Sequence, residues 1–405
     1  MKEIQGTISA IINEYPSENT DIAFLSSEDT AVIRRYHRSV PAYAPTPLCE
    51  LKELACKLNL GSVFVKDESK RFGLNAFKGL GGSYAIARII CEKLGLDIHT
   101  ISFEDLLKPE VIKLVKDMVF ITATDGNHGK GVAWAAGLFG CKAYINMPKG
   151  SVERRVDAIR KVNSNAQVKV MDTAYDDTVR YSSRIADENG WYLVQDTSWE
   201  GYEQVPEWIM QGYTTMAGEA CDQLASCGKS PTHVLVQAGV GAMAGSVAGY
   251  LVNRYGERCP KIIVVEPENM ACIYRSAKEN DGKAHPAADQ KSTIMAGLDC
   301  GEPCTIAWPI LRDYGYCYIK CPDYVTEHGM RILAHPEGGD AKIVSGESGA
   351  VTTGLVDLIC SDPEYAEIKN ALKLDESSVV LCFSTEGDTD PENYKRIVGS
   401  AELPG

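Results

Sequence analysis

Lys78 stands in Asn75-Ala76-Phe77-Lys78-Gly79, a primary amine set among small and apolar residues. Two further segments carry chemistry: Thr124-Asp125-Gly126-Asn127-His128-Gly129, and the glycine-rich turn Gly239-Val240-Gly241-Ala242-Met243-Ala244-Gly245. A lysine amine attacks carbonyl carbon and forms Schiff bases. The amides of a glycine-rich turn that opens a helix cradle phosphate, because they carry the unpaired N–H groups and the positive end of the helix dipole. The polar loop between them offers the same amides and several polar side chains to an anionic substrate. A carbonyl cofactor that also carries a phosphate, as pyridoxal phosphate does, needs both the amine and the anion site.

Each segment alone has a plainer use. A cation at a helix start faces the unfavourable end of the dipole, so Lys78 could simply lie along the surface. Gly73, Gly79, Gly81 and Gly82 around it instead suit a cofactor lying against backbone. Asp125 to Gly129 could be an acidic turn capping a helix, and His128 reads as a structural histidine. The Gly239 turn follows a strand, opens a helix, and is followed by Glu266 at the end of the next strand, as in a dinucleotide-binding fold whose acid holds a ribose. That fingerprint opens its domain, whereas this turn lies past the midpoint with its last glycine one residue late. A nicotinamide-dependent dehydrogenase is the alternative of another class, and tight packing is the other use of the glycines.

These segments need elements to position them. Short apolar runs read as strands at Met118–Ala123, Lys142–Met147, Gln167–Met171, Trp191–Gln195, Thr232–Gln237, Lys261–Glu266 and Ser378–Ser384. Helical patterns fill the gaps at Lys78–Leu94, Gly129–Phe139, Tyr175–Asn189 and Gly241–Asn253. The alternation predicts an α/β architecture of parallel sheets covered by helices. In such sheets ligands bind beyond the carboxyl ends of strands. The Asp125 loop, the Gly239 turn and Thr385-Glu386-Gly387 each follow a predicted strand, so the three are expected to converge on one crevice. A small domain at 81–191 and a large domain from 1–80 and 192–405 are expected, although no linker marks the boundary.

Composition excludes other classes. The 405 residues are 44% hydrophobic and 24% charged, as in globular proteins. A formal charge of −14 argues against a nucleic-acid or anionic-membrane surface. Met1 to Asp21, with Glu14 and Glu18, reads as polar, without the apolar core of a secretory signal. Val234 to Val252, with Gly241, Gly245 and Gly249 at four-residue spacing, has the pattern of a membrane helix with a dimerisation face. It reads better as a buried strand that breaks at Gly239 into a glycine-lined helix, with no membrane partner. The 14 cysteines include no C-x-x-C pair and imply buried free thiols in a reducing, cytoplasmic setting. Cys300, Cys304, Cys317 and Cys321 could suggest zinc, but Pro303 and the apolar stretch between the pairs read as packing, so no metal is expected. A Cys272–Cys300 disulfide has no support from the sequence alone.

Asn-Ala-Phe-Lys, Asp-Gly-Asn-His-Gly, the Gly239 turn, Gly346-Glu347-Ser348-Gly349 and Ser384-Thr385-Glu386-Gly387-Asp388 resemble the fold-type-II pyridoxal-phosphate enzymes, the group of tryptophan synthase β and threonine dehydratase. The chain looks closer still to the 2,3-diaminopropionate ammonia-lyases. The likeness runs from about Val63 to Asp390, and the stretches Thr122 to Ala136 and Gln195 to Gly212 are its most specific parts. It implies that Lys78 is the Schiff-base lysine and that Gly239, Val240, Gly241, Ala242 and Met243 cradle the cofactor phosphate. Asn127 would bond the ring oxygen, and Thr385 or its neighbour Ser384 would face the pyridine nitrogen. A hydroxyl there leaves the ring less protonated and favours elimination over transamination. Relatives that dehydrate or racemise hydroxy-amino acids carry serine where this chain has Asp125, beside Thr124 on the substrate side. The carboxylate is a stronger base and can bind an ammonium. Lys78 and Asp125 would then lie on opposite faces of the cofactor, one base for each enantiomer. Asp196, in Gln195-Asp196-Thr197, would contact the distal amine and keep it as ammonium. The implied reaction is β-elimination of ammonia from D- or L-2,3-diaminopropionate, the product hydrolysing to pyruvate and a second ammonia. A serine or threonine dehydratase is the alternative of the same class. The implied partners are an amino-acid substrate and a second copy of the chain in a homodimer.

Overall fold

The computed structural model describes residues 1–13, 17, 19–288 and 291–400; Glu14 and Glu18 of the N-terminal reading lie outside them. The strands, in chain order, are β1 (Lys2–Ile4), β2 (Ser9–Ile12), β3 (Leu48–Glu50), β4 (Ser62–Asp67), β5 (Val119–Ala123), β6 (Lys142–Met147), β7 (Ala166–Val170), β8 (Tyr192–Leu193), β9 (His233–Gln237), β10 (Lys261–Pro267), β11 (Cys317–Cys321) and β12 (Val379–Ser384).

The chain divides into two compact units. One comprises residues 1–23, 45–70 and 216–405, the other 24–44 and 71–215. The expected small domain, 81–191, falls wholly within the second unit, which also takes in 24–44, 71–80 and 192–215. Residues 24–44 join it through side chains that a linear pattern does not expose. His37 is fully buried, with its ring bonded to Thr215 Oγ1 at 2.7 Å and the Leu80 carbonyl at 3.1 Å.

The first unit is built on an eight-stranded sheet of order β1-β2-β11-β10-β9-β12-β4-β3. Its central strands are parallel and continuously apolar: His233–Gln237 is buried at every position, as is Ile262–Pro267. Strands covered on both faces take such runs, and each buried Val or Ile there contributes about 1.5–3 kcal/mol relative to exposure. The N-terminal expectation needs correction here. Ile8, Ala10, Ile11 and Ile12 are buried, because β2 pairs antiparallel with β11 and β1 folds back on β2. This run is too short for a signal core but long enough for an antiparallel strand completing a parallel sheet.

The second unit holds a four-stranded parallel sheet of order β7-β6-β5-β8. Both sheets reverse direction once. In the first, β9, β10 and β11 step one way while β12 pairs on the opposite side of β9; in the second, β5, β6 and β7 step one way while β8 lies on the opposite side of β5. Such reversal points leave a crevice at the strands' carboxyl ends, where α/β folds bind ligands.

Val234 to Val252 proves to be β9 followed by the helix Ala242–Tyr255. No helix among the described residues is long and apolar enough to cross a membrane. Cys317 and Cys321 sit at opposite ends of β11, both buried. Four residues of strand separate them by about 13 Å, too far for one ion to bind both. No disulfide joins Cys272 and Cys300.

Candidate active site

At the β5/β8 reversal point, the chain leaving β5 turns through Thr124 and Asp125 into the helix Asn127–Leu138. The Thr124 hydroxyl accepts the Gly126 and Gly129 amides at 2.9 Å each, so Thr124 ties down the start of that helix. Gly129 is required for this turn, since a Cβ there would run into Thr124 Cγ2. Asp125 and Asn127 are left half-buried at the helix start.

Beyond β8 the expected strand Trp191–Gln195 is only partly regular. Val194 N still donates to Ile121 O, but the Gln195 side chain then replaces the ladder, its Oε1 accepting Ala123 N and Thr122 Oγ1 at 2.9 Å each. Tyr202 OH accepts Gln195 N and donates to Leu193 O. The strand is thereby held by side chains at its last residues, which fixes where Asp196 emerges.

Lys78 is the residue before the helix Gly79–Leu94, with helical backbone angles. A Cβ on Gly131 would come within 2.9 Å of the Lys78 carbonyl carbon, so the helix Asn127–Leu138 rests on the lysine's own peptide because position 131 is glycine. Lys78 Nζ lies 2.5 Å from Asp196 Oδ2 and within 5.2 and 5.7 Å of the Phe77 and Tyr213 ring centroids. Burial alone would lower the Lys78 pKa, but the Asp196 carboxylate above all, with Tyr213 and Asp125 adding to it, raises it above 10.5. Burial likewise raises the Asp196 carboxyl, and His128, when its ring is protonated, together with Lys78 in contact more than offsets this and holds it at about 2. Lys78 and Asp196 therefore form a partly desolvated ion pair, and the snorkelling-lysine reading of Lys78 fails.

His128, read from the sequence as merely structural, is 2% exposed. Its Nε2 bonds the Val194 carbonyl at 2.7 Å, while Nδ1 lies 3.5 Å from Asp196 Oδ2 and has no hydrogen-bond partner. The signal that could have found it is its place one residue into a helix that starts at a ligand loop.

The first unit carries its own set at the β9/β12 reversal point. Gly239 and Val240 leave β9, Gly241 takes φ +93° before the helix Ala242–Tyr255, and no side chain caps that helix. A Cβ at Gly239 would approach Leu298 Cα at 3.1 Å. The first-turn amides of such a helix have no intrahelical acceptor, so Gly239 to Met243 form an uncapped, side-chain-poor cradle that fits a phosphate. From β12, Thr385 presents its hydroxyl as acceptor to Gln237 Nε2 at 3.0 Å, leaving its proton to give elsewhere. Ser384 is fully buried and spends its hydroxyl on Ser345 Oγ at 2.7 Å. Gln237, which orients Thr385, was not singled out from the sequence.

Glu266 removes the main support of the dehydrogenase alternative. Its two carboxylate oxygens accept Ile273 N at 2.8 Å and Tyr274 N at 2.6 Å, capping the helix Cys272–Glu279, and the side chain is fully buried. It holds a helix start and lies wholly inside the packed interior, out of reach of a ribose.

A buried amine at one sheet's reversal point, and at the other's a phosphate cradle with a hydroxyl beside it, define a fold-type-II pyridoxal-phosphate enzyme. Residues 40–381 match the model of the pyridoxal-phosphate dependent enzyme family, and the chain belongs to that family. Within it the chain stands beside the diaminopropionate ammonia-lyases. It is 51% identical to that of Salmonella typhimurium over 90% of both chains. It is also similar to crystal structures of the Escherichia coli diaminopropionate ammonia-lyase. The complex with D-serine matches at 47% identity with a TM-score of 0.91 over 98% of each chain. The complex with an aminoacrylate-PLP azomethine reaction intermediate matches at 47% identity with a TM-score of 0.88 over 96% of each chain.

Proposed function

We propose that this chain is a pyridoxal-phosphate-dependent carbon–nitrogen lyase that eliminates ammonia from D- or L-2,3-diaminopropionate, yielding pyruvate and two ammonia. The observation that carries the reading is the Lys78–Asp196 ion pair at the β5/β8 reversal point, 2.5 Å long and largely buried. It places a primary amine and an ammonium-binding carboxylate in contact, with the Asp125 loop beside them.

When bound, the cofactor supplies an electron sink for the charge left at the substrate α-carbon. The chain's residues do the rest. Lys78 holds the cofactor's carbonyl carbon and Gly239, Val240, Gly241, Ala242 and Met243 hold its phosphate. Asn127 bonds the ring oxygen. Thr385 is the residue for the pyridine nitrogen, because its hydroxyl accepts from Gln237 and keeps its proton to donate onward; Ser384 is committed to Ser345. A donor there fits an unprotonated ring nitrogen, which favours elimination over transamination. Thr124 holds the loop whose amides face the substrate carboxylate. Asp125 and Lys78 serve as the two bases for the α-proton, and Asp196 receives the distal ammonium. Fourteen cysteines outside any disulfide support a reducing, cytoplasmic setting, and we propose a homodimer, to be tested by sedimentation.

The decisive test is an absorption spectrum of the holoenzyme with and without DL-2,3-diaminopropionate, coupled to pyruvate release. A visible band that borohydride bleaches, and pyruvate released faster from the diamine than from serine, are expected. Faster release from serine would assign a dehydratase instead, and a colourless protein would remove the cofactor.

A further inference from the structure

The His128 ring presents an acceptor problem that the roles above leave unsolved. Its Nε2 lies 2.7 Å from a backbone carbonyl, Val194 O. A carbonyl oxygen only accepts, so Nε2 carries the ring proton. The other nitrogen, Nδ1, is buried without a hydrogen-bond partner and faces Asp196 Oδ2 at 3.5 Å. Burial lowers the His128 pKa below 6.5, so at neutral pH Nδ1 is a bare lone pair. Two acceptors 3.5 Å apart, one anionic, have no attraction for each other. They are the right distance to share a donor between them.

The structure also shows which donor suits the place. The group now against Asp196 is the Lys78 ammonium, which has three N–H bonds and no lone pair. Lys78 is the residue the cofactor claims, and the distal group of a diamino acid is another primary ammonium.

Resting on the ammonia-lyase reading, we propose that His128 Nδ1 is a specificity-determining acceptor, which with the Asp196 carboxylate forms a receptor of acceptors alone for the substrate's distal ammonium. The chemistry fits the leaving group. As the α-proton passes to its base, the C–H electron pair becomes the new carbon–carbon double bond. The pair of the breaking carbon–nitrogen bond leaves with the nitrogen, and the ammonium departs as neutral ammonia with its three protons. The site must hold that group protonated without taking a proton from it, which a carboxylate and a weakly basic imidazole both satisfy. A serine hydroxyl in the same place sets its own lone pairs against two acceptors. It needs a proton to leave, and Nδ1 has none to give. Lys78 and Tyr202 act on this pair, and Tyr213 and Asp125 act on Lys78; none supplies Nδ1 with a hydrogen bond.

Two substitutions separate the ring's duties. In His128→Gln the side-chain amide can reach Val194 O but offers no acceptor at the Nδ1 position; in His128→Asn the amide oxygen falls near Nδ1. For the glutamine variant, kcat/KM for 2,3-diaminopropionate is expected to drop about 10- to 100-fold, the scale of one charged hydrogen bond, while D-serine turnover changes less than about threefold. The asparagine variant should recover most of the loss. Equal losses on both substrates, or no loss, would overturn the proposal. A readout independent of turnover comes from the wild-type holoenzyme with 15N-labelled histidine rings, seven in all. One buried ring should show an unprotonated Nδ1 near neutral pH and shift when 1,2-diaminoethane is added, but not ethanolamine. A protonated Nδ1 refutes the assignment even if both variants fail to fold. Should wild type release no pyruvate from the diamine, the lyase reading itself fails, which is a different result from an unchanged substrate ratio.

Discussion

Removing the carboxylate from the Lys78–Asp196 pair by Asp196→Asn tests the site's electrostatics without relying on turnover. In the apoenzyme Lys78 is an ammonium whose side chain is 18% exposed, against a carboxylate that is 6% exposed. Breaking a buried pair by deleting one partner costs about 3–5 kcal/mol, since the remaining charge stays desolvated. The loss is capped, because an abandoned lysine can deprotonate, and doing so at pH 7 costs about 5 kcal/mol. With part of Lys78 still wet, about 2–4 kcal/mol is the expected penalty. The pH dependence gives the sign. Lys78 is raised above its ordinary 10.5, so its contribution is complete below that value and fades as pH climbs beyond it. Asp196 is depressed from 3.8 to about 2, so its contribution is present above 3.8 and fades as pH falls towards 2. The difference between wild type and variant should therefore be widest from about pH 5 to 9 and shrink towards both ends. Urea unfolding of the two apoproteins at about pH 2.5, 7 and 11.5, on either side of 3.8 and 10.5, measures it. In the holoenzyme, where the lysine nitrogen is no longer a free ammonium, the penalty should be smaller. A penalty independent of pH, or equal in apo and holo protein, would refute the reasoning.

Lys78→Arg keeps a cation for Asp196 but cannot bond the cofactor; pyruvate release should fall by about 10³-fold or more, and mass spectrometry after borohydride should find no adduct at position 78. Asp125→Asn should slow one enantiomer of the substrate by about 10²–10⁴-fold and the other far less; equal losses in separate D and L assays contradict two-base chemistry. Glu266, which burial raises from 4.5 to about 8, holds a proton when folded that it releases when unfolded. Stability should fall across that window by up to about 1.4 kcal/mol per pH unit, and Glu266→Gln should flatten the slope in urea titrations at pH 5, 6.5 and 8.

Periodicity located β9, β10 and β12, which are buried and bounded by turns, but not β4, buried at every position between β12 and β3. It missed β2 and β11, whose sequences give no alternation: Ser9–Ile12 acquires its meaning only from a partner about 300 residues away. It also missed Lys66, a fully buried lysine bonded to Glu219 Oε2 at 2.8 Å, since nothing local distinguishes it from a surface lysine.

Lys78, the Asp125 loop and the Gly239 turn were legible as residues because their chemistry is local: an amine next to glycines, and amides at a helix start. Their placement at two reversal points was not, because strand order is a property of pairings between distant segments. Asp196 meets Lys78 across 118 positions of sequence, and His128 owes its bare nitrogen to a carbonyl 66 residues away. Residue type and spacing thus determined which groups are present and what each can do alone. Desolvation and partner geometry, which exist only once the chain is packed, decided their charge states and which of them act together.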